Sequence, residues 1–139
     1  MKYVRDGSRI ILRLDDGDEI LSSLKSVCNK EKVKSAFLNG IGAAKKAEIA
    51  HYNPKTKKYK IKKLEGPLEI VSLTGNIAML KGESVVHCHI CFSIPDFSTL
   101  SGHLMKAEVY PTCEIVIVPL GLKIERKFDR RTGLNLQSF

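Results

Sequence analysis

The chain has 139 residues, 43% of them apolar, and its 17 Lys and 6 Arg outnumber 15 acidic groups for a formal charge of +8. A chain of this length buries roughly two-thirds of its unfolded surface in one domain, which excludes general disorder and any need for disulfide staples. No run of about 18 apolar residues occurs, which excludes a membrane-spanning helix, and Met1-Lys2-Tyr3-Val4-Arg5-Asp6 lacks the apolar core of a signal peptide.

These features predict a cytoplasmic protein whose four cysteines stay as thiols. Residues 8–14 read as a first strand, closed by the turn Asp15-Asp16-Gly17. Asp18 is placed to cap a helix running to about Lys32, with Ile20, Leu24, Val27 and Cys28 on its apolar stripe. Residues 35–39 form a short strand leading into Gly40-Ile41-Gly42, where two glycines permit a tight bend. Without a third glycine and a downstream acid, this is not a dinucleotide fingerprint. Residues 48–53 and 58–64 read as a hairpin around Asn53-Pro54-Lys55-Thr56.

Residues 67–80 are extended, with a bulge or bend expected at Gly75-Asn76. A strand follows over residues 83–94, then a loop with a short turn or helix over 97–107. The run Glu114-Ile115-Val116-Ile117-Val118 lies in a strand at 112–119, expected to be buried on both faces or in an oligomer interface. Residues 122–128 make a last strand before the tail. Many hairpin-linked strands and one helix predict an α+β fold on an antiparallel or mixed sheet.

Three of the four histidines fall within seventeen residues, at His87, His89 and His103. Residues two apart on a strand point to the same side. Val86, Cys88, Ile90, Phe92 and Ile94 therefore form one apolar face, and Val85, His87, His89, Cys91 and Ser93 form the other. The same alternation puts Cys88 and Cys91 on opposite sides, which argues against reading their C-x-x-C spacing as a redox or zinc-knuckle motif. His87 and His89 project together, and His103 can join them from the turn at Gly102. Three neutral imidazoles suit Zn²⁺ or a similar divalent ion and leave a coordination position open for water. The unmetallated alternative is three hydrogen-bonded surface histidines. His51 stands apart and is left out of the set.

Lys55, Lys57, Lys58, Lys60, Lys62 and Lys63 crowd the first hairpin. Lys58, Lys60 and Lys62 share one side of a strand and could meet nucleic-acid phosphates. The plainer reading is a solvated strand whose lysines blunt edge pairing, since no aromatic platform accompanies them. Asp96, Ser98, Ser101, Glu108 and Glu114 lie near the histidines in sequence and form no recognised nucleophile motif. Any of the carboxylates among them could orient a metal-bound imidazole.

The ordered set of Gly66-Pro67-Leu68-Glu69-Ile70-Val71-Ser72-Leu73-Thr74-Gly75-Asn76-Ile77, His87-x-His89, Gly102-His103-Leu104, Ala107-x-Val109, Thr112-x-Glu114-Ile115 and Arg126-x-x-Asp129-x-x-Thr132-Gly133-Leu134 resembles the PPC (plants and prokaryotes conserved) domain family. The likeness runs from about Arg9 to Leu136, within a single domain at 1–139. It implies a strongly bent, mostly antiparallel β-sheet with one main flanking helix, and a homotrimer. It also implies a metal, often zinc, on His87, His89 and His103. Plant members join the domain to AT-hooks and act as DNA-binding nuclear proteins; prokaryotic members are single-domain and carry a DNA-binding expectation. No Arg-Gly-Arg-Pro hook occurs in this chain, so carrying over minor-groove binding would rest on fold-level analogy. The resulting expectation is a homotrimeric binding or regulatory module with a three-histidine metal site and electrostatic DNA association, without a membrane partner. The alternatives are a zinc-dependent enzyme acting on a small molecule, and an assembly scaffold without metal.

Overall fold

Buried and exposed residues alternate along Arg9–Asp15, so that Ile10, Leu12 and Leu14 reach the core while Arg9, Ile11 and Arg13 face outward. The structure is a computed structural model that describes residues 1–139. Its elements are β1 (Lys2–Asp6), β2 (Arg9–Asp15), α1 (Ile20–Lys30), β3 (Ala36–Asn53), β4 (Lys58–Leu80), β5 (Glu83–Ser93), β6 (Thr99–Pro119), β7 (Glu125–Asp129) and β8 (Leu134–Ser138). This is an α+β fold with one helix on a bent, mostly antiparallel sheet, and no helix is long and apolar enough to cross a membrane.

The helix buries Ile20, Leu24, Val27 and Cys28 against the sheet, as its stripe predicts. It starts later than expected because Glu19, not Asp18, caps it. The Glu19 carboxylate accepts from the backbone N–H of Leu21 at 3.1 Å and of Ser22 at 2.7 Å. Asp18 is occupied elsewhere: its carboxylate pairs with the N-terminal amine at 2.7 Å, and its carbonyl accepts from Val109 N–H. With its carbonyl given to Val109, Asp18 cannot offer it to the first turn, whereas the Glu19 carbonyl accepts from Ser23 N–H at 3.0 Å.

Four strands close a ring of antiparallel pairings, β3 with β4, β4 with β5, β5 with β6, and β6 with β3. Long strands bend to close such a ring, and register shifts along β3 and near Ile70 mark the bends. The expected loop at 97–107 is instead mostly strand. The chain turns over Pro95 to Phe97, and β6 starts at Thr99. Gly102 looks like a turn residue in sequence, but its role is close approach: a Cβ there would sit 2.8 Å from the Ala50 carbonyl oxygen. Gly75 is similar. The bulge on β4 falls at Ile70–Ser72, not at Gly75, whose missing side chain makes room for Cys88.

The apolar run at 114–118 is buried on one face only. Ile115 and Ile117 are in the core, while Glu114 and Val116 point outward. Val116 pairs across β2 with Ile11 and across β3 with Asn39; Phe37 and Ile41 flank Asn39 on the same side. Val4, Ile11, Phe37, Ile41 and Val116 are all exposed, so the outer face of the sheet carries an apolar patch. The last strand expected at 122–128 is β7, and the tail beyond it folds back as β8. This C-terminal hairpin joins the ladder of the main sheet at one parallel pairing, Met79 with Glu125, and otherwise meets it through side chains.

Candidate metal centre

His87 and His89 stand on β5, where the ladder pairs them with Asn76 and Thr74 of β4. His89 also faces His103 of β6 directly across the β5–β6 seam. His103 in turn pairs with Ala50 of β3. The third histidine thus arrives from a strand, not from a turn, at the point where β6 leaves β5 for β3. Ring centroids are 5.3 Å apart for His87 and His89, 5.0 Å for His87 and His103, and 5.5 Å for His89 and His103. One ring nitrogen from each lies within 4.8 Å of the others. Tetrahedral zinc at about 2.0–2.1 Å from nitrogen needs ligand nitrogens about 3.3 Å apart. The three side chains therefore need to close by no more than about 1.5 Å on fixed strands, and the cluster can coordinate a divalent ion.

The electrostatics favour the metal-binding form of His87 and His103. Burial holds the His87 imidazolium down, aided by the Arg126, His103 and His89 charges, so that its pKa falls to about 4. The His103 pKa is also lowered, by burial first and then by His89 and Arg126. Neutral imidazole with a free lone pair is the species a metal needs. The opposite face behaves as the alternation predicts: Cys88 is buried and its thiol is pushed up to about 12 by desolvation. Cys91 is half-buried on the histidine side and stays outside the cluster.

No carboxylate orients the histidines. Asp96 caps its own turn by accepting from Ser98 N–H, Glu108 pairs with Lys45, and Glu114 sits opposite Arg13. The residue that holds His87 is Arg126 of β7, whose Nη2 lies 3.2 Å from His87 Nδ1. A guanidinium only donates, so Nδ1 carries the lone pair in this arrangement. Arg126 Nη2 also donates to Asn76 Oδ1 at 2.6 Å, and Nη1 donates to the Asn135 carbonyl at 2.9 Å. Its Nε is buried without a partner. Sequence reasoning marked Arg126 only as part of a family motif and attached no role to it. Nothing local signals a contact made across 39 residues of chain.

A pocket of about 1020 Å³ opens beside the three imidazoles, walled by Tyr52, Tyr59, Leu80, Val85, Leu134 and Leu136. The Tyr59 ring lies 5.5 Å from His103 and 4.9 Å from Tyr52. Tyr52 OH donates to the Thr132 carbonyl, and Lys57 Nζ donates to the Arg130 carbonyl at 2.7 Å. These bonds tie the C-terminal hairpin over the pocket. His51 and Ser101 also line it; no Asp or Glu does. Lys58, Lys60 and Lys62 are exposed and alternate with Tyr59 and Ile61, so they point away from the histidines.

A model of the family described as the Plants and Prokaryotes Conserved (PCC) domain matches residues 1–121. Among solved structures, a candidate DNA-binding protein of Bacteroides thetaiotaomicron is 33% identical, with a TM-score of 0.96 over 99% of this chain and 96% of that one. A metal-containing protein of Archaeoglobus fulgidus is 34% identical, with a TM-score of 0.90 over the full length of both chains. A plant- and prokaryote-conserved protein of Pyrococcus horikoshii is 33% identical, with a TM-score of 0.87 over 99% of this chain and 94% of that one. No match was found among curated proteins.

Proposed function

The chain belongs to the Plants and Prokaryotes Conserved domain family, and on that premise we propose that it works as a homotrimeric binding module whose His87, His89 and His103 hold a divalent ion open to a small molecule. The observation that carries this reading is a cluster of three imidazoles with no fourth protein ligand, facing a roomy pocket. A structural zinc site is closed by four protein ligands; three with an open side is the pattern of a site that takes a ligand. The donor set is all imidazole nitrogen, which favours zinc among common divalent ions and disfavours calcium and magnesium. The metal-containing relative from Archaeoglobus fulgidus supports the same reading.

The trimer would use the apolar patch of Val4, Ile11, Phe37, Ile41 and Val116. Such a patch on the outer face of a sheet favours burial against another copy. Phe37 pairs with Asn76 and Asn76 with His87, so a subunit seated there would border the metal centre. Contact with DNA would be electrostatic, through the net charge and the exposed Lys58, Lys60 and Lys62, and two relatives are described as candidate DNA-binding proteins. The open coordination side also favours a second reading, a metal-dependent enzyme, in which the ion supplies Lewis acidity to a small-molecule ligand.

Metal analysis of protein purified without a histidine tag, beside His87→Ala, tests the proposal. About one ion per chain in the parent and none in the variant is expected. Equal content in both would remove His87 from the site. Light scattering on the same samples reads the trimer, and a monomer at working concentration would refute it.

A further inference from the structure

The charge around the cluster does not balance. Three neutral imidazoles leave the double charge of a bound ion intact, and Arg126 adds a further positive charge beside His87. The pocket has no Asp or Glu on its wall to offset either. The His87, His103 and Arg126 side chains are half-buried, where charges of one sign are screened less than in water and favour a counter-charge, and here the pocket wall supplies none.

The bonds of Arg126 indicate where that counter-charge belongs. Its Nη2 donates to the lone pair on His87 Nδ1. Coordination through Nδ1 consumes that lone pair. Coordination through Nε2 puts the ring proton on Nδ1 and leaves two donors facing each other. Either way, an ion on His87 frees the Nη2 hydrogen from the ring. The freed donor lies next to Nε, which is already without a partner. Nε and Nη2 form one edge of the guanidinium plane, the fork that a carboxylate accepts with both oxygens.

We propose that Arg126 and the ion on His87, His89 and His103 together seat the carboxylate of a small organic acid, whose apolar body lies against Tyr59, Leu134 and Leu136. The proposal rests on the metal reading above and names the ligand class of the same pocket. One carboxylate can span the two positive centres because Arg126 already touches a ring that holds the ion. The apolar walls and the Tyr59 ring select an organic anion over a bare inorganic one. Arg126 acts here as the orienting residue, fixing the acid against the ion.

The test is calorimetric titration of zinc-loaded protein with three probes: 2-oxobutyrate, its neutral amide 2-oxobutyramide, and inorganic phosphate. The acid is expected to bind at least about tenfold tighter than the amide or phosphate. Arg126→Gln should weaken the acid about tenfold to a hundredfold, the usual loss for a charge-assisted fork, and should weaken the amide clearly less. Arg126→Lys keeps the charge but not the fork and should lose about tenfold, so it carries the test if the glutamine variant does not fold. Equal binding of acid and amide, equal binding of acid and phosphate, or acid affinity indifferent to both substitutions would overturn the proposal. If the chain takes up no zinc, the metal reading fails by itself. The acid is then titrated into metal-free protein, where binding that depends on Arg126 upholds Arg126 as the carboxylate's partner through its unpaired Nε, and the absence of such binding overturns the proposal.

Discussion

Gly75→Ala should damage the metal centre from the far side of the sheet. Gly75 pairs with Cys88, between the Thr74–His89 and Asn76–His87 pairs. A Cβ at Gly75 would lie 2.6 Å from Cys88 Sγ and 3.0 Å from its Cα, and would also press on the His87 carbonyl oxygen. Cys88 is buried and the other contacts are backbone, so no flexible chain end can give way. Overpacking of this kind costs about 1–3 kcal/mol, and the stiffer unfolded chain returns about 0.4–1 kcal/mol. The net is about 1–2 kcal/mol. With an unfolding entropy of about 0.3 kcal/mol/K for this length, the melting temperature should fall by about 3–7 °C. The strand can yield only by moving His87 and His89, so zinc affinity should drop at least about tenfold. Adding Cys88→Ala removes the sulfur but not the carbonyl contact, and should restore part of the stability. Melting curves and zinc competition titrations on the three variants check this. A Gly75→Ala protein as stable as the parent, with unchanged zinc affinity, would refute the close-packing argument.

Metal-free protein should lose stability in mild acid. The folded His87 pKa of about 4 lies below its ordinary 6.5, so the unfolded chain binds more protons between those values. The contribution is complete above pH 6.5, is lost as pH falls toward 4, and amounts to about 2 kcal/mol after allowance for partial exposure; urea midpoints across that range read it, and His87→Asn should flatten the curve. In native protein a water-soluble disulfide reagent should label Cys91 alone, against four thiols after unfolding, because Cys28, Cys88 and Cys113 are buried with thiol pKa values pushed up to about 12. If the lysines touch phosphates, Lys58, Lys60 and Lys62 all changed to Gln should lower the slope of log affinity for duplex DNA against log salt by about 0.9 per lost contact; an unchanged slope assigns the lysines to solubility. Chelation of the bound ion should lower the melting temperature by about 9 °C when free zinc had stood at a hundred times its dissociation constant, where binding stabilises by about 2.7 kcal/mol.

What the sequence disclosed and what it hid divide along the range of the interactions involved. The stripe of α1 and the two faces of β5 repeat within a few residues, so alternation alone sorts His87 from Cys88. Strand β1 carries three charged residues in five, Lys2, Arg5 and Asp6, and its pairing depends on the turn at Gly7, so no apolar rhythm marks it. The first half of β6 contains Ser101, Gly102 and Lys106 among its apolar residues and resembles a loop until Ala50 is seen to need the space at Gly102. The helix cap shifted by one residue because a distant contact, Val109 with Asp18, claimed the local candidate. Arg126 and the pocket walls at Leu134 and Leu136 depend on where a C-terminal hairpin comes to rest, and no local pattern encodes that.

The centre sits where the ring of strands is easiest to open. Pairing between β5 and β6 covers only five residue pairs, and His89 with His103 is the last of them. Beyond His103 the two strands part, and β6 continues along β3. A short seam ending in a fork is held by few hydrogen bonds and opens at low local cost. An ion bonded to His87 and His89 on one arm and His103 on the other would staple that fork shut. Ligand exchange at the ion and opening of the seam would then be coupled, because the residues that offer the open coordination side also close the ring. The C-terminal hairpin adds a second constraint through Arg126, which contacts β4 at Asn76 and β5 at His87 at once. With an ion in place, binding chemistry and closure of the sheet would thus depend on the same four side chains.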